Sequence, residues 1–241
     1  MAVTQKTIYH EVYGEVLLRR KTGVRRMTVS VRPLEAIRVT VPHCLGYDAA
    51  LKFLEGKDAW IRKQLAKTAL LEQSRTVFTE NTVFTTRNHR LVLSRTNGRE
   101  PSGRIDRNSI RVYIPDTADI LDDSVQEFVR KLIERAWKVE AINYLPGRLR
   151  YLSGHHGFQY NRVFIRNNRS RWGSCSAGNN INLNLHLMRL PDELIDYVLL
   201  HELVHTRYKN HSREFWEALE NCMRNARLLD RELKKFRTVI Y

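Results

Sequence analysis

The sequence predicts an α+β protein: a mainly β N-terminal part over residues 1–115 with one or two helices, then a helical C-terminal part over residues 116–241 that carries a small sheet. Short β-branched runs separated by turn residues fill the first part. Apolar residues recurring every three or four positions dominate the second. With 42% hydrophobic and 28% charged residues in 241, the composition is that of an ordinary folded chain, long enough to bury a core without staples.

In order along the chain, strands are expected at Glu15–Arg20, Met27–Arg32 and Ala36–Val41, punctuated by Gly23 and Pro33. Leu51, Leu54, Trp60, Ile61, Leu65 and Leu70 have helical spacing, with a break at Gly56. Strands resume at Asn81–Thr86, Arg90–Arg95 and Ser109–Ile114, and the Asn97–Gly103 segment forms a loop. A long helix follows on Val125, Phe128, Val129, Leu132, Ile133, Ala136, Trp137 and Ile142. Two strands, Arg162–Asn167 and Asn180–Leu190, precede a helix opened by Pro191 with Asp192 and Glu193 in its first turn. A last helix runs from Ser212 to Arg237, with Phe215, Leu219, Cys222, Ala226, Leu229, Leu233 and Phe236 as its buried stripe.

Chemistry concentrates in His201-Glu202-Leu203-Val204-His205. Histidines four apart on a helix project from one face, so both imidazoles can reach one metal ion. Glu202 is rotated by about 100° from His201, which puts it beside the ion, where a general base belongs. Chance, at this chain's own His and Glu frequencies, gives about 0.02 such matches, so the spacing is informative. The helix around it, Leu194, Ile195, Val198, Leu199, Leu200, Leu203 and Val204, is largely apolar, and histidines buried there need partners. A catalytic zinc site takes a third protein ligand. His211 is the nearest candidate, with Asp196, Glu214 and Glu217 as weaker ones.

The C-terminal half resembles the YgjP-like putative metal-dependent hydrolases, related to the SprT and WLM metallopeptidases. The matching pieces are Arg171-Trp-Gly-Ser-Cys-Ser176, Ile181-Asn-Leu-Asn184, Pro191 to Tyr197, His201-Glu-Leu-Val-His205, and Asn210-His211-Ser212 with Phe215-Trp216. The resemblance implies a zincin-like C-terminal domain with Zn2+ on His201, His205 and His211 and Glu202 as base. It also implies a peptide or protein substrate. Metzincins share the spacing of the third histidine but place Gly where this chain has Tyr208, so a different loop carries His211 here.

Three further residues are expected to contact substrate: Arg171, whose fork suits a carboxylate or phosphate, and Asn182 and Asn184, on one face of a strand that could pair with an extended peptide. His155-His156, between Gly154 and Gly157, reads as a loop pair at the surface. The net charge of +15 draws anions, so phosphoanhydride hydrolysis at the same site and a nucleic-acid-associated role are the alternative readings. The three scattered cysteines, Cys44, Cys175 and Cys222, read as reduced thiols. No apolar run is long enough to cross a bilayer and no secretory leader is evident, so the expected location is the cytoplasm and no membrane partner is expected. Oligomeric state is left open.

Overall fold

A computed structural model describes residues 3–33, 35–73 and 76–238, with the side chains of 70–73 outside the described set, so the expected burial of Leu70 lies beyond it. The chain divides into two compact units, one ending at Thr76 and one beginning at Val77. The first contains β1 (Val3–His10), β2 (Gly14–Lys21), β3 (Thr28–Arg32), β4 (Glu35–Pro42), α1 (Tyr47–Glu55) and α2 (Asp58–Gln73). Its sheet has the order β1-β2-β4-β3. Alternation along β2 and β4 turns Val16, Leu18, Ile37, Val39 and Val41 onto one face, where they pack with Ala50, Leu54 and Ile61. The helix expected from Tyr47 breaks at Gly56 into α1 and α2, as its lone glycine foretold.

The second unit begins with β5 (Arg90–Thr96), β6 (Ser102–Ile105) and β7 (Ser109–Pro115), in the order β5-β7-β6. Then come the 34-residue α3 (Asp123–His156) and a second three-stranded sheet, β8 (Val163–Arg166), β9 (Gly173–Cys175) and β10 (Ile181–Asn184), ordered β8-β10-β9. A 3-10 turn (Leu185–Arg189), α4 (Asp192–Val204), α5 (Arg213–Cys222) and α6 (Ala226–Leu233) complete it. In both small sheets the central strand is parallel to the first and antiparallel to the second.

Several expectations are corrected. The compact division falls at Thr76 and not at 115, because Ile110, Val112 and Ile114 of β7 share one core with Val125, Val129 and Ile133 of α3. Residues 81–86 form no strand beyond a single bridge from Thr85 to Arg90. His155 and His156 belong to the last turn of α3, which Gly157 closes in the left-handed conformation at φ 68°. The strand expected over 180–190 ends at Asn184. The final helix is interrupted where Met223 turns extended, and the side-chain amide of Asn225, within the break, donates to Glu193 of α4.

Candidate metal centre

α4 is buried nearly all round: Ile195, Leu199, Leu203 and Val204 are wholly enclosed, so its position is fixed by packing before any ion is considered. Its C-terminal turn presents His201, Glu202 and His205. After His205 the chain folds back through bonds from the Thr206 and Arg207 amides to the Leu203 and Val204 carbonyls, at 2.9 and 3.0 Å. No residue of this turn has a positive φ, so it needs no glycine. It returns His211 to the other two histidines just before α5.

The three imidazoles converge. Nε2 of His211 lies 3.0 Å from Nε2 of His201 and 3.2 Å from Nε2 of His205, close to the roughly 3.3 Å that tetrahedral ligation at ordinary zinc–nitrogen distances requires. The far nitrogens are engaged elsewhere. His205 Nδ1–H donates to the Tyr208 carbonyl at 2.8 Å. His201 Nδ1 faces the Tyr197 hydroxyl at 3.5 Å, and that hydroxyl donates to Asp230 at 3.1 Å. Such outer partners fix the tautomer that leaves Nε2 for an ion. The Phe215 ring, wholly buried, lies under all three, with centroids 4.9, 4.5 and 4.8 Å from His201, His205 and His211. Burial, with His205 and His211 beside it, pulls His201 down to about 3; burial likewise lowers His205. Both imidazoles are therefore neutral at neutral pH, the form in which a histidine can take a metal ion.

Glu202 is 5% exposed, and its Oε2 has no hydrogen-bond partner among the described residues. Burial pushes its carboxyl up to about 8, while the Arg171 charge pulls the other way. An unpartnered buried carboxylate beside three converging nitrogens is what a cation would satisfy, so the residues fit a divalent ion. Gly173 on β9 makes the packing possible: a Cβ there would stand 2.6 Å from Glu202 Oε1 and 2.7 Å from its Cγ. Lys209 ties the histidine loop to the β9–β10 turn through the Ser176 carbonyl, at 3.1 Å, and the Asn179 side chain.

Asp196 is held by Arg148 in a two-pronged pair of 2.7 and 2.5 Å, Glu217 pairs with Arg213 at 2.6 Å, and neither they nor Glu214 belongs to the histidine cluster. Arg171 stands exposed at the mouth of a polar depression of about 420 Å³ that Asn182 and Ser174 also line. Asn182 and Asn184 do not reach the centre. Ile181 and Leu183 face the core shared with α4, so by alternation the two asparagines take the opposite face. Asn184 is fully buried, donating to the Asn168 and Arg171 carbonyls at 2.6 and 2.7 Å and accepting from the His186 amide at 3.2 Å. It clamps the loop through these bonds. β10 is also the central strand of its sheet, so it has no edge for a peptide. Sequence reasoning missed Gly173, Tyr197 and Asp230; only Tyr197, four residues before His201, carried a spacing signal.

This arrangement defines a metal-dependent hydrolase. The chain belongs to the YgjP-like family, whose metallopeptidase domain matches residues 25–236, and it is accordingly a metal-dependent peptidase acting on peptide or protein. Among solved structures it is similar to the metallopeptidase zymogen abylysin of Pyrococcus abyssi, with 26% identity over 38% of this chain and 93% of that one and a TM-score of 0.34. Jannalysin of Methanocaldococcus jannaschii, also a metallopeptidase zymogen, gives 20% identity over 37% and 93%, TM-score 0.34. A mutant of Wss1 from Saccharomyces cerevisiae gives 20% over 41% and 84%, TM-score 0.33. No curated protein matches the sequence. Among the described residues no helix is long and apolar enough to cross a membrane.

Proposed function

We propose that the protein is a zinc peptidase in which His201, His205 and His211 hold the ion through Nε2 and Glu202 is the general base. The observation that carries this reading is the convergence of three imidazoles beside a buried carboxyl group with a free oxygen. When bound, the ion supplies Lewis acidity, acidifying a water and polarising the scissile carbonyl. Glu202 takes the proton of the attacking water and delivers it to the leaving amine nitrogen. Phe215 and the Leu203 side of α4 exclude bulk water from beneath the imidazoles. Arg171, beside Glu202 and open to solvent, is the side chain placed to hold an anionic or carbonyl oxygen of the substrate.

Glu202→Gln tests the assignment. The variant should retain one metal per chain by elemental analysis and lose at least about a hundredfold of turnover on a peptide library. Full activity in that variant, or protein purified without stoichiometric metal, removes the reading.

A further inference from the structure

A second cavity, of about 770 Å³, lies in the same unit between the β6–β7 turn and the middle of α3, and it shares no residue with the metal centre. Its size is that of small-molecule sites, which run from about 300 to 1,000 Å³. Helical spacing sets Arg135, Lys138, Val139 and Ile142 on one face of α3. That face is exposed: Val139 and Ile142 are 44% and 50% accessible. Opposite them stands Arg107. Among the described residues none of Arg107, Arg135 and Lys138 has an acidic partner, whereas Arg104 nearby is tied to Asp106 at 3.2 Å.

The floor is of another character. Glu140, 1% exposed, accepts through one oxygen from the Thr86 hydroxyl at 2.5 Å, the Asn88 amide at 2.9 Å and His89 Nδ1–H at 2.6 Å. Its second oxygen has no partner among the described residues. The His89 ring is thereby fixed, with Nε2 as the nitrogen not used by Glu140. Asp106 in the same lining is taken up by Arg104 and Arg111, so three cations left without an acidic partner call for an anionic group. Branched aliphatics left open beside them call for a flat apolar body. The Glu140 carboxylate and the His89 Nε2, which is an acceptor once Nδ1–H is given to Glu140, call for N–H donors on the edge of that body.

We propose that this cavity binds a nucleotide, its phosphates on Arg107, Arg135 and Lys138, its base laid on Val139 and Ile142 with the polar edge toward Glu140 and His89. The site is independent of the peptidase reading, and its test is binding, not turnover. Calorimetric titration of the full chain, with and without chelator, uses ADP, adenosine, inorganic phosphate and a short single-stranded oligonucleotide. One ADP per chain is expected in both conditions, with adenosine and phosphate each weaker by about tenfold or more. Arg135→Ala with Lys138→Ala should weaken ADP by about tenfold, and Arg224→Ala with Arg231→Ala, an equal loss of surface charge, should leave it unchanged. Absence of saturable ADP binding, equal loss in both double variants, phosphate binding as tightly as ADP, or the oligonucleotide binding where ADP does not, would each overturn it.

Discussion

At the level of single residues, the candidate metal centre is shaped by groups outside the histidine cluster. Gly173 lets β9 approach the Glu202 carboxylate more closely than any side chain would permit, since an added methyl would overlap both Oε1 and Cγ. Gly173→Ala should therefore displace Glu202, lowering kcat by about ten- to a hundredfold while metal content stays at one per chain, a separation that parallel kinetics and elemental analysis will read. Tyr197 acts on the other side. Its hydroxyl, donating to Asp230, has a lone pair facing His201 Nδ1, and Asp230 is in turn held by Lys234 at 2.7 Å. Tyr197→Phe removes that acceptor and keeps the ring, so metal affinity measured by competition with a chelating dye should fall by about tenfold.

Among the elements, the 3-10 turn after β10 has a pH signature. His186, 2% exposed, is lowered to about 4 by burial and by Arg189; its Nε2 faces the Asn167 side chain at 3.2 Å. The native state keeps this ring neutral while the unfolded chain takes a proton below its ordinary value near 6.5, so stability present above pH 6.5 is lost as pH falls toward 4. The loss approaches ~3 kcal/mol, and urea unfolding at pH 7.5 and 4.5 should show it, with the slope flattened in His186→Gln. How much of this was legible in the sequence depended on what each element buries. α4 and α5 announced themselves because their apolar spacing is complete, and the three histidines because their spacing on and just after a helix is chemically restrictive. β1, largely exposed, and β9, three residues long, offered too little pattern. The 3.6-residue stripe of the last segment continued through Met223 although the backbone does not, since Asn225 gains a bond to Glu193 instead. For Asn182 and Asn184 alternation was read correctly but not which face α4 would cover; that is decided by tertiary packing.

For the molecule as a whole, the separate cores on either side of Thr76 matter most. All three histidines, Glu202 and both cavities belong to the second unit, so an ion stabilises only that one. A ligand at a thousandfold excess over its dissociation constant adds ~4 kcal/mol to the state that binds it. Calorimetry should then show a chelator lowering the melting of the second unit by several degrees and leaving the first unchanged. A uniform shift would mean the two unfold as one. The boundary expected at 115 came from a change in composition, but β7 and α3 lie on either side of that change and bury each other.

The turn that brings His211 back has a consequence for how this sequence can drift. It uses no left-handed residue, and the bond that orients His205 ends on a main-chain carbonyl. The return of His211 is thus carried by main-chain bonds, while the side chains of Thr206 and Arg207 bond the Leu203 and Gly157 carbonyls. Substitutions here that keep the spacing and those main-chain bonds leave the course of the turn intact.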